Sequence, residues 1–247
     1  MSVRKSLKTS FHRVTNGLGL KIVKYRPYPP EFDELTGFLE RRNIRFVLDV
    51  GANEGQFATK LFAAGYTGTI ISFEPMPDEH KTLAKNAAGN PRWIVAPAVA
   101  LSNRSGTAEF HVAGNSISSS LLPMGDLHLA AAPQSVEVRK IKVALDRLDA
   151  MLDALVPEGD VLLKIDTQGT EMDVLEGASG ALDRIVGIKT EMSFVSLYEG
   201  QPLFIEVYEK ITALGFKLAD ITPGFRRRIN AQDLLQCDGV FLKPTAK

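Results

Sequence analysis

The sequence predicts an α/β protein built on a doubly wound, mostly parallel sheet with a β insertion. Three features carry that prediction. Short apolar runs alternate with helix-like segments through residues 46–95, residues 107–145 switch to polar–apolar alternation, and the strand–helix rhythm returns from residue 161 to a last strand at 239–242. Residues 31–42 read as a helix because Phe32, Leu35 and Leu39 share one face and acids crowd the first turn. FVLDV at 46–50 is nearly continuous in apolar residues, the mark of a buried parallel strand. Residues 55–64 form a helix that Gly65 closes, 69–73 a second strand, 77–88 a helix opened by Pro77, and 93–95 a third strand. Residues 107–112 and 136–145 alternate like half-exposed strands. Between them, 113–133 is rich in Ser, Gly and Ala and is a candidate lid or specificity loop. A strand at 161–165, a helix at 170–176 closed by Gly177, a strand at 186–191, a helix at 203–214 closed by Gly215 and a strand at 217–221 follow. Ligands of such sheets sit outside the carboxyl ends of the strands.

With 247 residues, 45% of them apolar, the chain can fill the core of one large α/β domain. Residues 31–247 are assigned to that domain and 1–30 to a basic helix with a proline-rich linker, since Pro27, Pro29 and Pro30 favour an extended backbone. Lys plus Arg and Asp plus Glu are equal at 29 each, so no overall positive field points to nucleic acid. Cys237 is the only cysteine, which excludes an internal disulfide and suits a reducing compartment; it reads as a small buried residue of the last strand. No run approaches the ~20 apolar residues of a membrane span and no signal-peptide core is evident, so a cytoplasmic location is expected. The first 26 residues carry seven Lys or Arg and no acid, and Leu7, Phe11, Val14 and Leu18 form one helical stripe. That stripe either packs on the domain or, through residues 4–26, touches an anionic membrane surface.

The turn in VLDVGANEGQF, residues 47–57, aims a helix N-terminus at a ligand. Laid from Gly51 on the dinucleotide fingerprint G-x-G-x-x-G, its later glycine places hold Asn53 and Gln56, which a pyrophosphate does not favour. Asp49 ends the strand and Glu54 opens the helix, and two carboxylates there would repel a pyrophosphate and attract a cation. S-adenosylmethionine (SAM) has no phosphate and carries an ammonium and a sulfonium. Glu74, 25 residues beyond Asp49 at the end of the second strand, suits the two ribose hydroxyls. Asp49, Gly51, Asn53, Gly55, Glu74, Pro75, Ala98 and Asp166 are therefore assigned to SAM.

At these residues the chain resembles the FkbM-type SAM-dependent methyltransferases. The resemblance runs from about Phe46 to Leu242 and rests on VLDVGANEGQF, SFEP, LLKIDTQGTEMDVLEGA, SLYEGQPLF and CDGVFL. It implies a class I methyltransferase fold, usually a seven-stranded Rossmann-like sheet, and O-methylation of hydroxyls on sugars, polyketides or other secondary metabolites. Where the family commonly shows K-I-D-x-E-G, this chain has Gln168 in place of the Glu.

LLKID and GIKTE each place a Lys and an acid on one strand face: Lys164 with Asp166, and Lys189 with Glu191. Central parallel strands are otherwise apolar, so four such charges require partners, and neighbouring strands would let the two cations and two anions pair across them. They either line the ligand crevice or only fix strand register. Asp166 is the first candidate for the base that takes the acceptor's hydroxyl proton, Glu191 the second, with Lys164 beside them. His128 lies in the candidate lid and is either a further base or an exposed loop residue. No H-E-x-x-H, paired cysteines or Asp-rich triplet indicates a metal. Tyr198 and Glu199 either touch substrate or introduce a helix led by Pro202, and Arg226, Arg227 and Arg228 either hold an anionic acceptor or form a solvated turn. The expected activity is SAM-dependent O-methylation of a small or glycan-like hydroxyl acceptor, without nucleic acid, by a monomer or an oligomer. A nucleic-acid methyltransferase and a non-catalytic SAM-binding sensor are the alternatives.

Overall fold

The computed structural model describes residues 27–227 and 233–244. The basic stripe of residues 4–26 and Arg228 lie outside the described residues. The described chain runs α1 (Glu31–Arg41), β1 (Phe46–Val50), α2 (Gln56–Ala63), β2 (Thr69–Phe73), α3 (Pro77–Ala87), β3 (Trp93–Val95), β4 (Ala100–Leu101), β5 (Gly106–Ala113), α4 (Asp126–Ala131), β6 (Glu137–Asp146), α5 (Leu148–Leu155), β7 (Val161–Ile165), α6 (Glu171–Gly177), β8 (Ile185–Ser193), α7 (Phe204–Ala213), β9 (Lys217–Pro223) and β10 (Gln236–Leu242). Seven strands form the main sheet in the order β3-β2-β1-β7-β8-β10-β9, with β10 antiparallel to both its neighbours. The remaining pairs are parallel. A second sheet, β4-β6-β5, is the insertion.

Alternation along the strands builds a core on each face. Val47, Ile70 and Leu162 point to one side and pack with Leu35 and Leu39 of α1, Leu61 of α2 and Leu83 of α3. Leu48, Ile71, Leu163 and Ile188 point to the other and meet Leu152 of α5, Leu175 of α6 and Ile211 of α7. All of these are buried, and each contributes about 1.5–3 kcal/mol on leaving water. Three elements were not anticipated: β4, α4 and α5. The two residues of β4 are too few to show a period. The pattern LDAMLDAL of α5 does have a helical stripe, with Leu148 and Leu152 buried, but it follows β6 directly and is masked by that strand's alternation. Among the described residues no helix is long and apolar enough to cross a membrane.

Candidate active site

The chain leaves β1 toward β2 on one side and β7 toward β8 on the other, so a crevice opens where these two strands lie together. A cavity of about 650 Å³ occupies it. The turn after β1 is set by contact with β7: Gly51 has φ +73°, and a Cβ there would stand 1.9 Å from the Asp166 carbonyl oxygen. Gly55 has φ +91°, and its Cβ would meet the Trp93 ring at 2.4 Å, so this glycine serves the packing of α2. Asn53, also left-handed at φ +47°, donates its backbone N–H to Glu74 Oε2 at 2.9 Å. Glu74 Oε1 accepts the Met76 N–H at 2.9 Å. Burial pushes the Glu74 carboxyl up to about 7, while those two N–H groups and Lys164 pull it down and Glu79 adds to the rise.

The charged row on the sheet resolves differently from its expected pairing. Lys164 and Lys189 stand opposite one another in register, and each finds its acid on the strand that flanks it on the side away from the other lysine, β1 for Lys164 and β10 for Lys189. Lys164 Nζ lies 2.9 Å from Asp49 Oδ1 of β1 and 3.6 Å from Asp166 Oδ2. Its Nζ also donates to the carbonyls of Val50 and Gly51 (3.3 and 3.0 Å). Burial alone would lower the Lys164 pKa; Asp49 and then Asp166 outweigh it and hold it above the usual lysine value. Asp49 is completed by the Ser72 hydroxyl at 3.2 Å, which accepts from the Trp93 indole at 3.0 Å. Lys189 pairs with Asp238 of β10.

At the tip of β7, Gln168 donates to Asp166 Oδ1 at 2.7 Å and to Glu191 Oε2 at 2.9 Å. Gln236 donates to the same Glu191 oxygen at 2.7 Å. Burial, then the nearby Asp166, Glu171 and Asp238 carboxyls, hold the Glu191 carboxyl well above its usual range. The 113–133 segment closes over this end through defined contacts. Asn53 Nδ2 donates to Ser116 Oγ at 3.1 Å, Ser120 Oγ to the Gln168 carbonyl at 2.7 Å, and the Tyr198 hydroxyl lies 2.9 Å from both the Ser118 carbonyl and Gln168 Oε1. His128 in α4 is 3% exposed, packed against Tyr198 and Phe225 at 5.2 and 5.5 Å, and its Nδ1 is buried without a hydrogen-bond partner among the described residues. Burial lowers its pKa, which favours neutral imidazole.

Gly51, Asn53, Glu74, Pro75, Lys164, Asp166, Glu191 and His128 line the cavity. Three residues assigned to the cofactor do not: Asp49 is sealed in its ion pair, Gly55 packs on Trp93, and Ala98 is exposed beside the wall residue Val99. Glu54 is exposed as well. The expected acid lining at the first turn therefore reduces to Glu74; the other acids of the wall are Glu31 at the start of α1 and Asp166, Glu191 and Asp238 at the tips of β7, β8 and β10. His128 is not an exposed loop residue, because a short helix turns it inward. Tyr198 is buried and supports the lid, whereas Glu199 is exposed. Arg227 pairs with Asp233 at 3.6 Å. Gln236, Asp238 and Phe225 were not singled out; the Asp of the closing CDGVFL stretch is the one sequence signal that pointed toward them.

The profile of the methyltransferase FkbM domain matches residues 49–218. The chain is similar to 2-O-methyltransferase NoeI of Sinorhizobium fredii, 30% identical over 169 residues that cover 63% of this chain and 66% of the relative. It is similar to hexuronic acid methyltransferase AglP of Haloferax volcanii, 26% identical over 170 residues, 67% and 63% of the two chains. With methyltransferase sdnD of Sordaria araneosa it shares 29% identity over 157 residues, 53% and 60% of the two chains. Each alignment spans slightly less than two thirds of the relative's length.

Proposed function

We propose, from the premise that this chain belongs to the FkbM methyltransferase family, that it transfers a methyl group from SAM to a hydroxyl of a sugar-like acceptor. One observation carries the reading: the Asp166 backbone forms the wall against which the Gly51 turn closes, while its half-exposed carboxylate enters the same cavity. A base at that place stands between a cofactor end and an acceptor end.

The residues present fit SAM. Glu74 keeps lone pairs for ribose hydroxyls after accepting its two backbone N–H groups, and Val99, Leu101 and Phe110 offer an apolar wall for an adenine ring. SAM supplies the electrophilic methyl when bound. The chain supplies alignment, for which well-oriented systems gain roughly 7–11 kcal/mol, and a base. Asp166, steadied by the Gln168 amide on Oδ1 and by Lys164 near Oδ2, takes the acceptor's hydroxyl proton. The 113–133 segment limits water over the reacting atoms. The acceptor end is lined by Ser118, Gln168, Gln236 and the Lys189–Asp238 pair, with Phe225 as an apolar surface. Hydroxyl, amide and charged groups beside one aromatic ring match a polyhydroxylated ring; the relative NoeI, a 2-O-methyltransferase, supports methylation of a hydroxyl, and AglP, a hexuronic acid methyltransferase, supports a sugar-type acceptor.

The test is product mass spectrometry after incubating the protein with methyl-labelled SAM and fractionated cell extract. Label on a glycan or glycoside hydroxyl is expected, and Asp166→Asn is expected to lower kcat by ~10²–10⁴-fold while SAM affinity is kept. Label on nucleic acid, or full activity in the Asn variant, would reject the assignment.

A further inference from the structure

Gln168 follows β7 with a left-handed backbone, φ +57°, a conformation uncommon outside glycine. The turn gives its side chain and carbonyl four partners. Nε2 donates to Asp166 Oδ1 (2.7 Å) and Glu191 Oε2 (2.9 Å), Oε1 faces the Tyr198 hydroxyl (2.9 Å), and the carbonyl accepts from Ser120 Oγ (2.7 Å). Reversing the amide would press its oxygen against two carboxyl oxygens, so electrostatics allows one orientation. The Tyr198 hydroxyl, sharing its proton between Oε1 and the Ser118 carbonyl, holds the amide the same way round.

We infer that Gln168 is a positioning residue whose amide stands where the site would otherwise need a shared, titratable proton. It grips the Asp166 and Glu191 carboxyls with two N–H groups that no pH change removes, and it ties their geometry to the seated 113–133 segment. Its part in positioning the base rests on the methyl-transfer reading above; the proton count does not. The groups around it are Lys164 and Asp166 at β7, Glu171 at the start of α6, Lys189 and Glu191 on β8, Asp238 on β10, Tyr198 after β8, and His128 of α4 edge-on to that tyrosine. The two lysines are already engaged with Asp49 and Asp238. A carboxyl at 168 would therefore meet two others directly and keep either hydrogen bond only while protonated.

Thermal denaturation of the ligand-free full chain from pH 5 to 8.5 tests this in wild type and Gln168→Glu. The introduced carboxyl would have a folded-state pKa above its unfolded value, so the stability it contributes is present at acid pH and lost as pH rises through the raised value. The variant's Tm is expected within ~2 °C of wild type at pH 5 and ~5 °C or more behind it by pH 8. The exchanged variant Gln168→Glu with Glu191→Gln restores one amide and two carboxyls. It is expected to recover most of the wild-type pH dependence, and it keeps the test open if the single variant is unfolded at neutral pH. In labelled-methyl transfer, Gln168→Glu should lose at least ~10-fold in kcat between pH 6 and 8.5 relative to wild type, with KM for SAM little changed. Parallel Tm curves for wild type and Gln168→Glu, or an exchanged variant as pH-sensitive as the single one, would overturn the inference. A wild-type chain that moves no methyl would reject the proposed function, and the denaturation series would still decide the role of Gln168.

Discussion

The Glu74 carboxyl has a folded-state pKa of about 7, lifted chiefly by burial, against an unfolded value of about 4.3. The folded protein therefore holds this proton more tightly than the unfolded chain. The stability that follows is complete below pH ~4 and lost as pH rises through about 7. A ribose hydroxyl prefers the ionised acceptor, so SAM affinity measured by calorimetry should rise between pH 6 and 8. Glu74→Gln should bind SAM more weakly and without that slope. Lys164 offers a contrasting test. Lys164→Met leaves the Asp49 carboxylate buried at 0% exposure without its cation, and urea denaturation should report a loss of ~3–5 kcal/mol. The additional change Asp49→Asn should recover much of it. The carboxyl of Glu74 and the charges of LLKID and GIKTE were evident as residues. Their partners were not, because register and not spacing sets which acid a strand lysine reaches.

The turn from β1 to α2 allows no side chain at 51. Gly51→Ala combines a left-handed backbone, costing ~1–2 kcal/mol, with a Cβ placed 1.9 Å from the Asp166 carbonyl oxygen. The expected outcome is a lower Tm together with loss of SAM binding, since relief of the clash displaces the tip of β7. Segment 113–133 should respond to a smaller change. Tyr198→Phe removes the hydroxyl that meets Ser118 and Gln168. Limited proteolysis should then cut within 113–133 several-fold faster, while global stability falls by only ~1–3 kcal/mol. Strands 46–50, 69–73 and 161–165 could be read to the residue because buried parallel strands are dense apolar runs bounded by turns, and the partly exposed edge strand 93–95 because WIV is a short run of the same kind. The helix inside the lid, α4, escaped because its six residues, DLHLAA, make fewer than two turns and are too few to show an amphipathic period.

Across the whole molecule, two apolar cores clasp one sheet, and a polar row crosses it on a single face from Ser72 through Asp49 and Lys164 to Lys189. That arrangement keeps Asp49 and Lys164 in the interior, with Lys189 and the half-exposed Asp238 at its edge, because each cation meets an acid within reach. A cut in either core should act globally: Leu163→Ala in the central strand is expected to cost ~2–5 kcal/mol in one cooperative transition by chemical denaturation. By itself the sequence determined the α/β class, the order of most elements, the glycine turn and the acids worth testing, since each of these follows from local period and residue type. Tertiary structure alone decided which carboxylates reach the cavity. Asp49 and Glu74 look alike along the chain, yet neighbouring strands consume the first in an ion pair and leave the second facing the crevice. Buried charge is governed by the partners that packing brings within a few ångströms, and those partners come from β1, β7, β8 and β10, far apart in the chain.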